Sequence, residues 1–437
     1  MIRTLITNTR VLKYLTCALL SLQPWAGVFA QHEKDWFLAD PVQDSLAGIS
    51  LRRANQLLKN KQPVRVIVAV IDNGVDVHHV ALKDRIWTNA KEIGGNGTDD
   101  DHNGFIDDVN GWNFRGARDG TTIENEWSAA LQVYAAWKDD PVKSHTPEFE
   151  RAKKEYLEKL SSSRDSAETR YSANIDYHSD SFITGSPFFM LTPNLTHGTH
   201  VAGIIASIAS SAIIMPVGAS TATGDERDRD VAGAMRYAVD NGARIINISF
   251  SKRYSSEKNK VDSAIVYAQK KGVLIIHSSG NDGLDIDSVE NYHFPVAMLA
   301  DGSKATNFIT VGWNRPRFDY RLAHPNGDYG KLNVDLYAPG SDIWSTVPGN
   351  AYDYKSGSSM SAPVVSGVAA LLISYFPQLT AAQLKHILLS SVYKPEQLVN
   401  RPQTQEKVAF RSLSVSRGIV NAFNAVQLAL RTKTKQN

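Results

Sequence analysis

The sequence predicts an α/β fold, a doubly wound and mainly parallel sheet with helices on both faces. One observation is "VRVIVAVID", Val64 to Asp72, a β-branched run too short for a helix and closed by Asn73-Gly74. Such a run reads as a buried central strand ending in a tight turn. The other is the order helix, glycine, buried strand, which occurs twice in succession from Asp230 onward. A chain of 437 residues, 42% hydrophobic and 21% charged, without an internal repeat, can bury a sizeable core.

Taken in chain order, residues 1–30 carry Arg3, Arg10 and Lys13, then the apolar stretch Tyr14 to Leu22, then Val28-Phe29-Ala30 before Gln31. This is the pattern of a secretory signal cut after Ala30 and predicts an exported protein, secreted or periplasmic. The apolar stretch is well short of the ~18 residues a spanning helix needs, so no stable membrane span is expected. Cys17, the single cysteine, would leave with the signal, and the exported chain would carry no disulfide. Residues 1–30 hold three positive and no negative side chains, so cleavage would turn the formal net charge of +2 into −1. Nothing in that balance points to nucleic acid or an anionic membrane surface. It carries no statement about oligomeric state.

Residues 31–60 read as an N-terminal segment with one amphipathic stretch, "LRRANQLLKN". A large domain follows over 61–429. After the first strand comes "TDDDHNGFIDDVNGWNF", with Asp99, Asp101 and Asn103 at alternate positions ahead of Gly104. Hard oxygen donors ahead of a glycine begin like a calcium loop. Asp107 or Asp108 would close it, since Asn110 stands where glutamate is usual; a solvated acidic loop is the other reading.

Between residues 115 and 193 the pattern becomes a helical insertion. Trp127, Leu131, Tyr134 and Trp137 share one helical face, and Phe149, Ala152, Tyr156 and Leu160 share another behind Thr146 and Pro147 as cap and first helical position. Both stripes are read as packing surfaces. Next, "DVAGAMRYAVDNGARIINISF" gives a helix with Val231, Ala234, Met235 and Ala238 on one face, a stop at Gly242 and a strand from Arg244 to Phe250. "KVDSAIVYAQKKGVLIIHSSGND" repeats this, with Gly272 as the stop and Val273 to His277 as the strand. Helices are expected over Ser359 to Phe376 and, behind a Thr380/Gln383 capping box, in "LTAAQLKHILLSSV". Residues 430–437 read as a frayed tail.

Three segments carry chemistry. "AVIDNGVDVHH" offers Asp72 at a strand end, where open parallel sheets usually place their sites. "NLTHGTHVAGIIASIA" offers His197 ahead of a small-residue helix, and "GSSMSAPVVSGVAALL" offers serines in the same setting. A serine hydroxyl needs a neutral imidazole to take its proton, and the imidazole needs an acid on its other nitrogen. In residue types and in the order Asp, His, Ser, these segments resemble the subtilisin-like serine peptidases, the subtilases.

The resemblance covers roughly residues 61–425 and implies a seven-stranded, mainly parallel sheet and a serine endopeptidase acting on protein or peptide substrates through an acyl-enzyme. It implies Asp72 as the acid, His197 as the base and Ser359 as the nucleophile, Ser358 and Ser361 filling small-residue positions. His200 and His79 then become structural. "SSGND" matches the segment whose asparagine donates to the oxyanion, which gives Asn281 that role beside the Ser359 N–H and puts Gly280 in the substrate wall. "NISFSK" matches the strand to which substrate adds, lined by Ser249, Phe250 and Ser251; the family usually has glycine where Ser251 stands. No cofactor is implied for catalysis, and calcium is implied only as a structural ion. The family's best-known calcium ligand falls at Ala81, Asn73 replaces a small residue, and about thirty residues before the first strand are too few for a folded prodomain.

Overall fold

β1 (Val66–Asp72) is buried along its length and lies in the middle of the main sheet. The computed structural model describes residues 34–115, 127–162, 186–187, 194–220 and 224–434; the expected leader lies outside them. In chain order the elements begin with α1 (Leu51–Leu58), β1 and β2 (Trp112–Asn113), then α2 (Ala129–Trp137), α3 (Pro147–Ser162) and β3 (Ser186–Pro187). There follow α4 (Thr196–Ile208), β4 (Ala212–Gly218), α5 (Asp228–Asp240), β5 (Ile245–Ile248), α6 (Lys258–Lys270) and β6 (Leu274–Ser278). The last part holds β7 (Phe308–Asn314), β8 (Leu336–Pro339), the hairpin β9 (Ile343–Val347) and β10 (Ala351–Lys355), α7 (Ser358–Tyr375), α8 (Ala381–Ser390), the pair β11 (Leu398–Asn400) and β12 (Lys407–Ala409), and α9 (Ala422–Thr434).

The sheet runs β3-β2-β4-β1-β5-β6-β7-β8. Seven strands are parallel and only the short edge strand β3 is antiparallel. Strand order reverses at β1, flanked by β4 and β5, so the carboxyl end of β1 opens at a topological switch point. Ala69 and Ile71 pack with Met235, Ala238 and Ile265 of α5 and α6 on one face. Helices α4 and α7 pack together, α7 lying along β5 to β8. Both faces are therefore covered, which is why the strands read as unbroken apolar runs. By composition α7 is long and apolar enough to span a membrane, yet 89% of it is buried inside the protein.

Gly242 and Gly272 follow α5 and α6 with φ of 82° and 72°, the left-handed stop that glycine accepts without a Cβ clash. The Thr380/Gln383 capping box is formed in both directions, and Thr146 Oγ1 accepts the Phe149 N–H at the start of α3. α7 starts at Ser358, one residue before the expected Ser359, and holds Pro363 in its second turn. α9 runs on to Thr434, because Val426 and Ala429 bury its inner face, so the tail is helical beyond residue 429. Residues from Phe37 onward belong to the same compact unit as the sheet: Asn421 Nδ2 donates to Ser50 Oγ at 2.8 Å, and the Arg53 guanidinium lies 3.8 Å above the Phe423 ring.

Of the insertion, α2 and α3 form a helical hairpin in which Tyr134 stacks on Phe149 and Tyr156. It packs on Tyr254, and Trp137 Nε1 donates to the Ser256 carbonyl. The Asp225 N–H and the Gln132 amide both donate to the Trp127 carbonyl, fastening the hairpin to the segment after β4. Leu160 lies outside the described side chains.

Candidate active site

Asp72 ends β1 and is 1% exposed, while His197 stands in the first turn of α4 and is about one-third exposed. His197 Nδ1 and Asp72 Oδ1 lie 2.8 Å apart. The approach depends on the next residue. A Cβ on Gly198 would sit 2.1 Å from the Gly74 carbonyl oxygen and 3.1 Å from Asp72 Cβ, so only glycine lets α4 come this close to the strand end. Asn73, the departure from the expected small residue, uses its side-chain oxygen to accept the Gly198 N–H at 3.0 Å. It thereby ties α4 to the residue beside the acid. Burial disfavours charge on His197, but the Asp72 carboxylate outweighs it and holds the imidazole above its ordinary range.

Ser359 stands at the second position of α7, where the first amides have no intrahelical partners. Its hydroxyl donates to the Ser249 carbonyl at 2.7 Å, and the Ser249 hydroxyl donates back to the Ser359 carbonyl at 2.9 Å. Pro363 explains the second bond: four residues on, it lacks the N–H that would have taken that carbonyl, and Ser249 supplies the donor. Asn281 follows Gly280, whose φ is 111°. Asn281 Oδ1 accepts both the Ser358 N–H (2.9 Å) and the Ser358 hydroxyl (3.0 Å), and the Gly280 N–H donates to Ser358 Oγ at 3.2 Å. With its oxygen engaged, the Asn281 amide has its NH₂ group left to offer to the cleft.

His197, Ser249, Phe250, Ser251, Asn281 and Ser359 line one cleft of about 370 Å³, with Asn73 and Ser220. The other histidines fall elsewhere. His200 Nε2 faces the Ile343 and Asp353 carbonyls, and burial pushes its imidazole down to about 4. His79, fully buried, bonds the Ala351 carbonyl. Ser361 donates to the Ala338 carbonyl, and Ser356 exchanges bonds with Asp342.

In the acidic loop, oxygens of Asp99 and Asp101 come within 4.8 Å of one another and of Glu92, seven residues before the run that drew attention. Among the carboxylates of the loop, Asp107 is not part of this group. Asn103 donates to Asp108 and accepts the Phe105 N–H, while Asp107 accepts the amides of Gly95, Asn96 and Gly97. Both brace the loop, as do Glu92, Asp99 and Asp101, which accept the N–H groups of Asp100, Asn103 and Gly104.

Sequence reasoning missed further residues at the site. Ser358 bridges α7 to the Asn281 turn. Glu226 is buried beside the cleft, accepting from Ser220 at 2.9 Å, and burial raises its carboxyl to about 7. His293 and Asp328 lie behind Gly280, brought there by loops with no periodic signal.

Residues 64–411 match the sequence profile of the subtilase family, peptidase S8. Subtilisin-like protease 1 of Plasmodium falciparum (isolate 3D7) is 26% identical over 410 residues, which cover 88% of this chain and 47% of that protein. The thermophilic serine proteinase of Bacillus sp. (strain AK1) is 36% identical over 188 residues, covering 41% and 42%. The chain spans about half the length of the curated relatives it matches. Among solved structures, a lanthipeptide protease superposes with a TM-score of 0.55 at 19% identity, covering 92% of this chain and 96% of that one. A protease from Pseudoalteromonas arctica does so at 0.54 and 18%, covering 90% and 97%. At these identities the likeness is one of fold.

Proposed function

This chain belongs to the subtilase family, and from that premise we propose that it is an exported serine endopeptidase that cleaves peptide bonds through an acyl-enzyme on Ser359. The observation that carries the reading is the 2.8 Å contact of Asp72 with His197 in the cleft that also holds Ser359 and Asn281. The acid fixes the tautomer that leaves Nε2 free to accept a proton. The Ser359 hydroxyl turns from Ser249 to His197 Nε2, which takes its proton as Oγ attacks the scissile carbonyl carbon. Negative charge then gathers on the carbonyl oxygen, stabilised by the Ser359 N–H and the Asn281 amide. His197 passes the proton to the leaving amine, and water deprotonated by the same imidazole cleaves the acyl ester. Substrate would lie as an added strand along Ser249, Phe250 and Ser251, with Gly280 on the opposite wall. A side chain on Ser251, half-buried at the cleft, narrows that side.

A calcium ion would be structural, held by Glu92, Asp99 and Asp101. The donor set fits a hard cation, and three carboxylates this close repel one another without one. The export reading rests on residues 1–30 of the sequence alone. The enzyme reading is tested by a fluorophosphonate probe and a peptide digest on the wild-type protein and Ser359→Ala. Labelling and hydrolysis should both vanish in the variant; a folded wild-type protein that binds peptides but takes no label would defeat the proposal.

A further inference from the structure

His293 is 5% exposed and Asp328 is fully buried, and neither belongs to the machinery just described. Asp328 Oδ1 accepts the N–H groups of Asp282 (3.1 Å) and Leu284 (2.8 Å), closing the turn that carries Asn281. Its Oδ2 lies 2.6 Å from His293 Nδ1, a charge contact rather than an aligned hydrogen bond. His293 Nε2 meets Asp282 Oδ2 at 3.0 Å. A Cβ on Gly280 would fall 2.1 Å from Asp328 Oδ2 and 2.6 Å from His293 Nδ1, so the pair fills the space directly behind the Asn281 turn. The backbone beside His293 holds the other wall: Lys252 and Phe294 exchange main-chain hydrogen bonds of 3.2 and 2.8 Å, just after Ser249, Phe250 and Ser251.

We infer that His293 and Asp328 are positioning residues, a charged strut that fixes the Asn281 turn against the Ser249–Ser251 wall and so sets where the oxyanion donor stands. This rests on the reading of Asn281 given above. An imidazole held between two carboxylates is favoured in its charged form, the one that turns an N–H toward each of them. Burial opposes that charge, but Asp282 and Asp328 outweigh it and lift His293 to about 9. The other titratable neighbours are His277 of β6, held neutral by burial, Arg253, which acts on Asp282, and Tyr337, whose phenol burial and Asp328 keep protonated. Loss of the proton would leave one donor for two carboxylates and slacken the turn.

The test measures kcat and KM of the full chain on a peptide amide from pH 6 to 10, with thermal unfolding as a check on folding. Wild type should lose kcat through a limb near pH 9. His293→Gln should lower kcat roughly tenfold to a hundredfold with KM within about twofold, and should lack the limb. Asp328→Asn keeps an acceptor for the two amides but removes charge, so its limb should move to lower pH. Should either buried variant fail to fold, Asp282→Asn, at a half-exposed position, should still move the limb down. Folded variants with wild-type kcat and an unmoved limb would overturn the strut while leaving the triad standing. A wild-type protein inert to both probe and peptide would overturn the reading of the site, and the strut with it.

Discussion

Four serines crowd the segment Ser356 to Ser361, and their partners separate them. Ser361 is fully buried and only caps the Ala338 carbonyl, so Ser361→Ala should keep most of the activity. Ser358 is different. It holds both the Asn281 oxygen and the Gly280 N–H, and without its hydroxyl the Asn281 amide keeps only the Ser358 N–H to fix its rotation. Ser358→Ala should therefore lower kcat about tenfold, within the range for a loosened oxyanion donor, while Ser358→Thr retains it; steady-state kinetics on one peptide decide the ranking. The motif located Asp72, His197 and Ser359 because the chemistry demands those residue types in that order. It gave Ser358 only a small-residue position, since its work depends on a turn seventy-seven residues away.

At the scale of elements, β1 and the pairs α5–β5 and α6–β6 were legible, since burial on two faces and a left-handed glycine each leave a local mark. The edge strand β3 left none: two residues paired antiparallel to β2 carry no period. Glu92 was hidden for a related reason, since it reaches Asp99 and Asp101 by folding back over a glycine-rich turn. Gly198 shows an element-level constraint read correctly as motif but explained only by packing. Gly198→Ala would place a methyl 2.1 Å from the Gly74 oxygen and push α4 off the end of β1, parting His197 from Asp72. The expected outcome is a fall in kcat of about a hundredfold or more, exceeding any change in KM. A comparison of both constants with the thermal midpoint separates misplacement from unfolding.

For the whole molecule, buried histidines and buried carboxyls pull stability in opposite directions as pH falls. His200 and His277 are kept neutral by burial, at about 4 and about 3 against an ordinary 6.5. A histidine depressed in this way contributes stability that is complete above pH 6.5 and is lost as pH falls through the folded value. At pH 5 each has forfeited about 2 kcal/mol, a large part of a margin of ~5–15 kcal/mol. Glu226 and Asp108, raised by burial to about 7 and about 6, have the opposite slope and offset much of this loss, so thermal midpoints should fall only gently between pH 6.5 and 4.5 and more steeply in Glu226→Gln. His293 has the opposite sign: its contribution is full below pH 6.5 and disappears as pH rises through about 9. The proposed calcium ion would add a separate handle, since chelation would leave Glu92, Asp99 and Asp101 in mutual repulsion. Adding excess chelator should lower the midpoint by several degrees, and restoring calcium but not magnesium should recover it. Unchanged melting would leave the loop without an ion.

The paired serines give the resting protein a safety catch. Ser359 spends its hydroxyl on the Ser249 carbonyl, the group to which an arriving polypeptide strand would offer its own N–H. On the proposed reading a long chain would cock the nucleophile by the act of binding, whereas a small ester with no amide hydrogen would have nothing with which to release it.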